Sequence, residues 1–208
     1  MYEFKNPSAR GQAAIIAVLV WLVADIASTI GSVLTISALS GGVSPDLADS
    51  VNMTTGIAQL VVAIVTIVLV SMWIYRVNAN AHTLSDSMTI TPGWGVGWFF
   101  VPFANLWKPF EAMRETWRAS VAPGDPLSVP TPTVMSGWWG LWIVTNILNN
   151  ISVRLSLGAT DAAQLNLASW ISVFSFLLDL PLVYCLITMI RQLDRIQGRG
   201  SNFAETFA

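Results

Sequence analysis

Two carboxylates lie in apolar stretches of the sequence, Asp25 within residues 13–39 and Asp179 within residues 165–190. An acid at the centre of a bilayer costs about 3 kcal/mol or more, so it usually has a structural partner or a task. In one interpretation, each acid is protonated and donates a hydrogen bond to a neighbouring helix, for example to Asn146. In the other, the two acids lie close together and share a proton or hold a cation at the midplane. The sequence leaves both interpretations open.

A depth count relates the two acids to polar residues elsewhere in the chain. With a rise of about 1.5 Å per residue from the predicted helix ends, both acids lie roughly 17–18 Å deep. The same count gives Thr66 and Asn146 a depth of roughly 17–18 Å. We therefore predict an intramembrane polar layer with one residue from each of four helices: Asp25, Thr66, Asn146 and Asp179.

No other group of residues has the spacing of a known catalytic or cofactor motif. His82, the one histidine, has Ser85 and Asp86 nearby, but a nucleophile triad requires groups that converge in space, and we expect an exposed polar loop. The G-x-G-x-G run at residues 93–97 lacks the preceding strand and the last glycine of a dinucleotide fingerprint. The single cysteine excludes an intrachain disulfide and a cysteine-based metal site. We expect no metal and no cofactor.

The composition is that of an integral membrane protein, because 54% of the 208 residues are hydrophobic and only 11% are charged. Four stretches are long enough to cross a hydrocarbon core, which requires about 20 helical residues. A membrane-spanning helix satisfies its own backbone hydrogen bonds, and the alternating strands of a barrel do not occur, so we predict helices. The predicted transmembrane helices are residues 13–39, 56–77, 134–157 and 165–190.

The basic residues fall on one side of this topology. Lysines and arginines precede the first helix, lie between the second and third helices and follow the fourth, whereas only Arg154 lies near the opposite side. By the positive-inside rule, both termini are cytoplasmic. The net charge of −2 and the lack of a basic cluster with interleaved aromatics argue against a nucleic-acid partner.

The cytoplasmic connection between helices two and three contains a tryptophan-rich interfacial segment, residues 94–120. Residues 94–107 are largely apolar and too short to span a bilayer, and their indoles suit the headgroup level, which favours a re-entrant or interfacial position. From Pro109 onward, apolar residues recur at intervals of three and four, which predicts an amphipathic surface helix. Several prolines then predict an extended linker over residues 121–133.

A distinctive motif runs through this region. It consists of residues 73–81 (WIYRVNANA), 92–94 (PGW), 97–98 (GW), Pro102, 105–109 (NLWKP) and 112–120 (AMRETWRAS). The motif resembles a family of bacterial membrane proteins described as a domain of unknown function with four predicted membrane helices. This resemblance implies a protein of the bacterial plasma (inner) membrane and supplies no activity or substrate. As candidate interface residues we take Asn78, Asn80, Trp94, Trp98, Asn105, Trp107, Arg114, Trp117 and Arg118.

We expect a single membrane domain, residues 1–208, with one of three functions. The first is an interaction or scaffold protein whose tryptophan-rich segment binds membrane lipid or a membrane protein. The second is a small transporter or a proton- or cation-coupled element built on Asp25 and Asp179. The third is an enzyme that acts on lipid at the interface, with His82 or an acid of the surface helix as acid or base. We prefer the first, and a homo-oligomer is compatible with so small a bundle.

Overall fold

The computed structural model describes residues 2–206 of the chain, with side chains described for residues 2–198. Between residues 2 and 206 it contains α-helices and short 3-10 helices but no β-strand, which confirms the predicted all-α class. Met1 and residues 207–208, which belong to the predicted domain of residues 1–208, lie outside the described residues. In chain order the α-helices are α1 (Ser8–Leu39), α2 (Pro45–Leu84), α3 (Pro92–Gly97), α4 (Lys108–Val121), α5 (Thr133–Leu157) and α6 (Ala162–Thr206).

Within the described residues, three helices are long and apolar enough to cross a membrane: α1, α2 and the part of α6 from Ala162 to Gly198. Many of their large apolar side chains are exposed, including Val23 of α1 and Leu60 of α2. Such surfaces suit lipid, because a helix on the surface of a water-soluble protein keeps its apolar side chains on the face that packs against the core. The structure supports membrane association, and a fourth span in α5 remains a prediction.

The local sequence explains where the long helices begin and end. After α1 the chain reverses direction at Gly41, whose φ of 81° lies in the left-handed region that glycine adopts without steric cost. Ser44 precedes α2, and its Oγ accepts a hydrogen bond from the amide of Leu47. Asp161 precedes α6 and accepts a hydrogen bond from the amide of Gln164. Each of these caps satisfies one of the amides that a helix N-terminus leaves without a partner.

The chain forms two compact units, and each of the four long helices contributes to both. Unit 1 consists of residues up to Ala17, Ile67–Trp139 and residues from Cys185 onward. Unit 2 consists of Val18–Thr66 and Gly140–Tyr184. The predicted tryptophan-rich segment therefore belongs to unit 1, and Asp25 and Asp179 belong to unit 2.

The core of unit 1 combines large apolar side chains with a face of small residues on α4. Fully buried apolar side chains include Trp73, Met135, Met189 and Leu193. The buried face of α4 consists of Pro109, Ala112, Met113, Thr116, Ala119 and Ser120. These positions recur at intervals of three and four, as expected for one face of a helix. Because most of these residues are small, α4 packs closely against the rest of the unit.

The predicted interfacial segment, residues 94–120, consists of several short elements. The end of α3 is followed by two 3-10 helices, Trp98–Phe100 and Ala104–Leu106, and then by α4. The predicted linker, residues 121–133, includes a further 3-10 helix at Pro126–Ser128. Frequent prolines and glycines in these stretches prevent a long helix, because proline lacks the amide that continues the hydrogen-bond ladder.

Candidate functional site

Unit 2 brings the two predicted acids together. The carboxylates of Asp25 in α1 and Asp179 in α6 lie close enough to repel each other when both are charged. Gln59 of α2 donates a hydrogen bond of 3.5 Å from Nε2 to Asp25 Oδ1. Thr145 of α5 is a neighbour of Asp179, and its hydroxyl donates a 3.3 Å hydrogen bond to the carbonyl oxygen of Trp142. Each of the four long helices thus contributes one side chain to this acid pair site.

The acid pair site is buried and only partly hydrogen bonded. Asp179 is 2% exposed. Two oxygen atoms, Asp25 Oδ2 and Gln59 Oε1, are buried and have no hydrogen-bond partner within the described part of the chain. Buried polar atoms are nearly always paired, so such atoms point to a bound proton, ion or water. Among the side chains of residues 2–198, neither acid forms an ion pair.

The predicted polar layer differs from the observed site in two of its members. Asn146 is exposed, and its Nδ2 donates to the carbonyl oxygen of Trp142 in its own helix, 2.7 Å away. Thr66 Oγ1 donates to the carbonyl oxygen of Val62, also in its own helix, at 2.8 Å. Gln59 was missed because the depth count in the second helix ran back from its predicted cytoplasmic end at residue 77. Gln59 is 18 residues from that end, so the count put it roughly 27 Å deep, well beyond the predicted layer.

Unit 1 displays a second candidate site, an aromatic loop that we define as residues 92–107. It contains no charged residue. The indoles of Trp94 and Trp98 are in contact, with ring centroids 4.5 Å apart and ring planes tilted by 31°, and Trp98 is half-buried. The large apolar side chains that the loop exposes are Trp94, Phe100, Phe103, Leu106 and Trp107. An exposed apolar patch of this kind marks a surface that binds lipid or protein.

Phe103 lies at a strained turn in this loop. Its φ of 63° is the only positive φ of a non-glycine residue in the described chain. The amide of Ala104 donates a 2.8 Å hydrogen bond to the carbonyl oxygen of Pro102, which closes a three-residue γ-turn around Phe103. The Phe103 side chain is 79% exposed. A conformation of this type costs about 1–3 kcal/mol, and such strain is concentrated at functional sites.

Trp139 of α5 anchors the aromatic loop to the rest of unit 1. Its Nε1 donates a 3.1 Å hydrogen bond to the carbonyl oxygen of Leu106. The Trp139 ring stacks on Phe110 and meets the edge of Phe99, with centroid distances of 6.1 and 6.2 Å. The loop backbone is therefore fixed while its outward rings stay uncovered.

Comparison with known proteins identifies the family. A family model described as Domain of unknown function (DUF4328) matches residues 37–195. The chain belongs to the DUF4328 family. No curated protein and no solved structure matches it. The DUF4328 region includes the aromatic loop and three members of the acid pair site, whereas Asp25 precedes it.

Within the DUF4328 region, the two motif asparagines are buried and do not form part of an exposed interface. Asn78 Nδ2 donates a 3.0 Å hydrogen bond to Thr116 Oγ1 of α4. Asn80 Oδ1 accepts a hydrogen bond from the amide of Lys5, and its Nδ2 donates to the Lys5 carbonyl oxygen, at 3.1 and 2.8 Å. Both side chains are at most 1% exposed. Both asparagines therefore belong to the interior of unit 1, where Asn78 Oδ1 is buried without a hydrogen-bond partner among the described residues.

The sequence did not indicate Gln197, which joins several parts of unit 1. Its Nε2 donates to the Val77 carbonyl oxygen and to Ser120 Oγ, both at 2.9 Å. Its Oε1 accepts a 2.8 Å hydrogen bond from Asn80. Gln197 lies beyond the predicted fourth span in a polar stretch, where no periodicity distinguishes it. The one signal in the sequence is its spacing, because Gln197 follows the apolar residues Ile190 and Leu193 at intervals of seven and four and so lies on the same face of α6.

The other candidate interface residues lie at or near the surface of unit 1. Asn105 and Trp117 are half-buried. Arg114 lies over the ring of Phe110, 5.8 Å from its centroid. Arg118 Nε donates a 3.0 Å hydrogen bond to the Val129 carbonyl oxygen and so attaches the linker to α4. Arg114 and Trp117 therefore remain available for contacts, whereas Arg118 is engaged internally.

His82 and Ser85 have separate structural partners. His82 Nε2 is 3.0 Å from the carbonyl oxygen of Ile90, and its ring packs against Tyr2. Ser85 Oγ donates a 3.0 Å hydrogen bond to the Pro123 carbonyl oxygen. His82 lies in the last turn of α2 and is half-buried, and Ser85 is buried, so the exposed polar loop predicted for these residues is wrong.

Proposed function

We propose that this protein spans the bacterial plasma membrane four times and docks its aromatic loop on the lipid headgroups of the inner leaflet. In this proposal α1, α2, α5 and α6 are the spans and both termini are cytoplasmic. The protein then acts as an interaction or scaffold component that holds α4 at the membrane surface. The observation that carries the proposal is the set of exposed large apolar side chains in the uncharged aromatic loop.

Lipid is the occupant that this composition favours. The side chains of tryptophan and phenylalanine are amphipathic and apolar, respectively, and their transfer from water to the boundary between headgroups and acyl chains lowers the free energy. Residues 92–107 have no charge to desolvate, and Lys108, directly after them, forms a 2.7 Å ion pair with Glu111. The strained turn at Phe103 holds an apolar ring outward, which costs free energy in water and is favourable in lipid.

The topology has independent support. Three helices are long and apolar enough to span a membrane, and α5 adds a stretch of 25 residues, which exceeds the roughly 20 that a bilayer requires. The connection from α2 to α5 contains Lys108, Arg114 and Arg118, as expected for a cytoplasmic connection. The aromatic loop lies in that same connection.

Site-specific fluorescence in lipid vesicles tests the proposal. With Cys185 replaced by alanine, a single cysteine is introduced as Phe103→Cys or, for control, as Leu127→Cys in the linker, where the native side chain is 84% exposed. Each variant is labelled with an environment-sensitive dye and reconstituted into phosphatidylcholine vesicles. We expect the dye at position 103 to be quenched by nitroxide lipids and protected from aqueous iodide, and the dye at position 127 to show the opposite. Equal iodide quenching at both positions would contradict docking.

The acid pair site favours a second function, coupling to a proton or cation. The supporting observation is that Asp25 Oδ2 and Gln59 Oε1 are buried near a second carboxylate and have no hydrogen-bond partner among the described residues. Such a group of oxygens can bind a proton or a cation at the level of the bilayer interior. Four helices make a narrow bundle for a transport pathway, so this function ranks second.

Flux measurements in proteoliposomes test this second function. The variants Asp25→Asn and Asp179→Asn remove the negative charges and keep the size of the side chains. Asp49→Asn, at an exposed position in α2, is the matched control. We expect proton or sodium flux in the parent protein and the control and none in the two variants. Equal flux in all four proteins, or none in the parent, would exclude coupling through this pair.

A further inference from the structure

Unit 1 contains a cleft that the aromatic loop and the acid pair do not explain. Its volume is about 680 Å³, and it lies between the beginning of α1 and the part of α6 that follows the apolar stretch. Polar side chains on its walls include Gln12, Arg191 and Arg195, and apolar ones include Ile15 and Ile16. Such a cleft is open to a ligand with both a charged and an apolar part.

The two arginines in this cleft, Arg191 and Arg195, have no partner among the side chains of residues 2–198. They are four residues apart on α6, so their side chains extend from the same face of the helix. Both are exposed, and within residues 2–198 neither forms an ion pair or a hydrogen bond. Arg10 and Arg76, by contrast, donate hydrogen bonds to the carbonyl oxygens of Met72 and Glu3. The guanidinium groups of the cleft are therefore free to bind an anion.

Asp194 also lines the cleft, but its carboxylate forms no ion pair with Arg191 or Arg195 among the described residues. Asp194 Oδ1 accepts a 2.9 Å hydrogen bond from the indole Nε1 of Trp73, which lies in the core. Its carboxylate also packs against Gly11, where a side chain would have no space. These contacts turn the Asp194 carboxylate toward α1 and α2. Within the described part of the chain, Arg191 and Arg195 consequently stay unpaired although Asp194 also lines the cleft.

The position of the cleft fits the boundary between lipid and water. The apolar stretch of α1 begins at Ala13, and that of α6 ends at Ile190. Ile15 and Ile16 are therefore on the apolar side of this boundary, and Arg191 and Arg195 follow it on the polar side. Ile16 is 62% exposed, so an acyl chain has apolar surface to cover. Basic pockets at the cytoplasmic ends of membrane helices bind anionic lipid headgroups.

From this geometry we infer that the cleft binds the phosphate group of an anionic phospholipid. Arg191 and Arg195 bind the phosphate oxygens, Gln12 donates a further hydrogen bond, and Ile15 and Ile16 contact the acyl chain. Guanidinium groups suit this task because they form two parallel hydrogen bonds to a phosphate. The inference rests on the proposed membrane topology but not on the aromatic loop.

Native mass spectrometry of the purified protein in detergent tests this site, with dioctanoyl phosphatidic acid, dioctanoyl phosphatidylcholine and inorganic phosphate as probes. We expect phosphatidic acid to bind at least about tenfold more tightly than phosphatidylcholine. The phosphate of phosphatidylcholine has one free oxygen fewer, and its choline cation offsets the negative charge that the arginines would bind. The double variant Arg191→Gln/Arg195→Gln should lose this preference. Arg154→Gln, which removes an arginine of unit 2, should keep it.

A second pair of substitutions keeps both charges. Arg191→Lys/Arg195→Lys should bind phosphatidic acid less tightly than the parent and more tightly than the glutamine variant, because lysine cannot form the parallel pair of hydrogen bonds. Circular dichroism identifies the variants that keep the helical fold, and the lysine variant provides the comparison if the glutamine variant does not fold.

Three results would overturn the site. They are equal binding of phosphatidic acid by the parent and a folded arginine variant, equal binding of the two lipids by the parent, and displacement of phosphatidic acid by an equal concentration of inorganic phosphate. The last result would identify free phosphate as the ligand. Because the test of the aromatic loop uses phosphatidylcholine vesicles, either proposal can fail while the other holds.

Discussion

The side-chain amides of Asn80 in α2 and Gln197 in α6 are joined by a 2.8 Å hydrogen bond from Asn80 Nδ2 to Gln197 Oε1. Both side chains are almost completely buried, and every one of their polar atoms has a partner. A buried polar network of this kind stabilises a fold only when all its members are satisfied. The pair therefore fixes how α2 and α6 pack within unit 1.

Loss of Gln197 should destabilise the protein. We expect Gln197→Ala to lower the free energy of unfolding by about 1–3 kcal/mol or more, because Asn80 and Ser120 then lose a buried hydrogen-bond partner. Asn149→Ala, at an exposed position of α5, should have little effect. Thermal unfolding in detergent provides the measurement. A Gln197→Ala protein as stable as the Asn149→Ala control would show that the network contributes no net stability.

Thr145 and Asn146 differ in their relation to Asp179, although they are adjacent in sequence. Thr145→Val should destabilise the protein by about 1 kcal/mol, because it keeps the shape but removes a hydroxyl that faces a buried carboxylate. Asn146→Ala should be nearly neutral, since that amide is exposed and bonds its own helix. Unfolding by heat compares the two. A larger loss of stability in Asn146→Ala than in Thr145→Val would contradict this assignment and would support Asn146 as the member of the polar layer, as predicted from the sequence.

Gly11 allows the carboxylate of Asp194 to pack against α1. In Gly11→Ala the new methyl group would occupy the place of that carboxylate and break its hydrogen bond to Trp73, with an expected cost of about 1–3 kcal/mol. Gly140→Ala is the matched control, because a methyl group there meets no atom. It should be neutral or stabilising by about 0.5–1 kcal/mol. Equal stability of the two variants would contradict the close packing at Gly11.

The turn at Phe103 should favour glycine over alanine. Both substitutions remove the exposed ring, but only glycine relieves the positive φ, so Phe103→Gly should be about 1 kcal/mol more stable than Phe103→Ala. At Phe100, whose φ is negative, the order should reverse. Thermal unfolding of the four variants in detergent measures both differences. If alanine is the more stable replacement at both positions, Phe103 is not strained.

The level of the two acids along α1 and α6 could be predicted from the sequence, whereas the level of the polar residue in α2 and the direction of side chains around the helices could not. The depth count brought Asp25 and Asp179 to one level, because the rise per residue is constant. It gave no means to decide between Thr145 and Asn146, which point about 100° apart. The lipid-facing and protein-facing sides of an almost uniformly apolar helix have no contrasting periodicity, so its rotation is set by contacts that the sequence does not show.

The aromatic loop and the motif asparagines show a second property that could not be predicted from the sequence, namely which polar side chains are buried. Its composition predicted a membrane-surface segment, and the structure shows a loop with exposed aromatic rings, whose docking remains a proposal. The motif asparagines had the same polar appearance as an interface, yet Asn80 bonds the backbone of Lys5, 75 residues away. Partners so distant in sequence leave no local signal. Buried amides and surface amides therefore cannot be distinguished by spacing alone.

Helices α2 and α6 are longer than the hydrocarbon core of a bilayer is thick. At about 1.5 Å per residue, helices of 40 and 45 residues measure roughly 60 and 68 Å, about twice the 30 Å thickness of a hydrocarbon core. In the proposed topology, each helix therefore continues well beyond the lipid. A bilayer with longer or shorter acyl chains should change the tilt of the spanning turns and leave the hydrogen bonds of Gln197 unchanged.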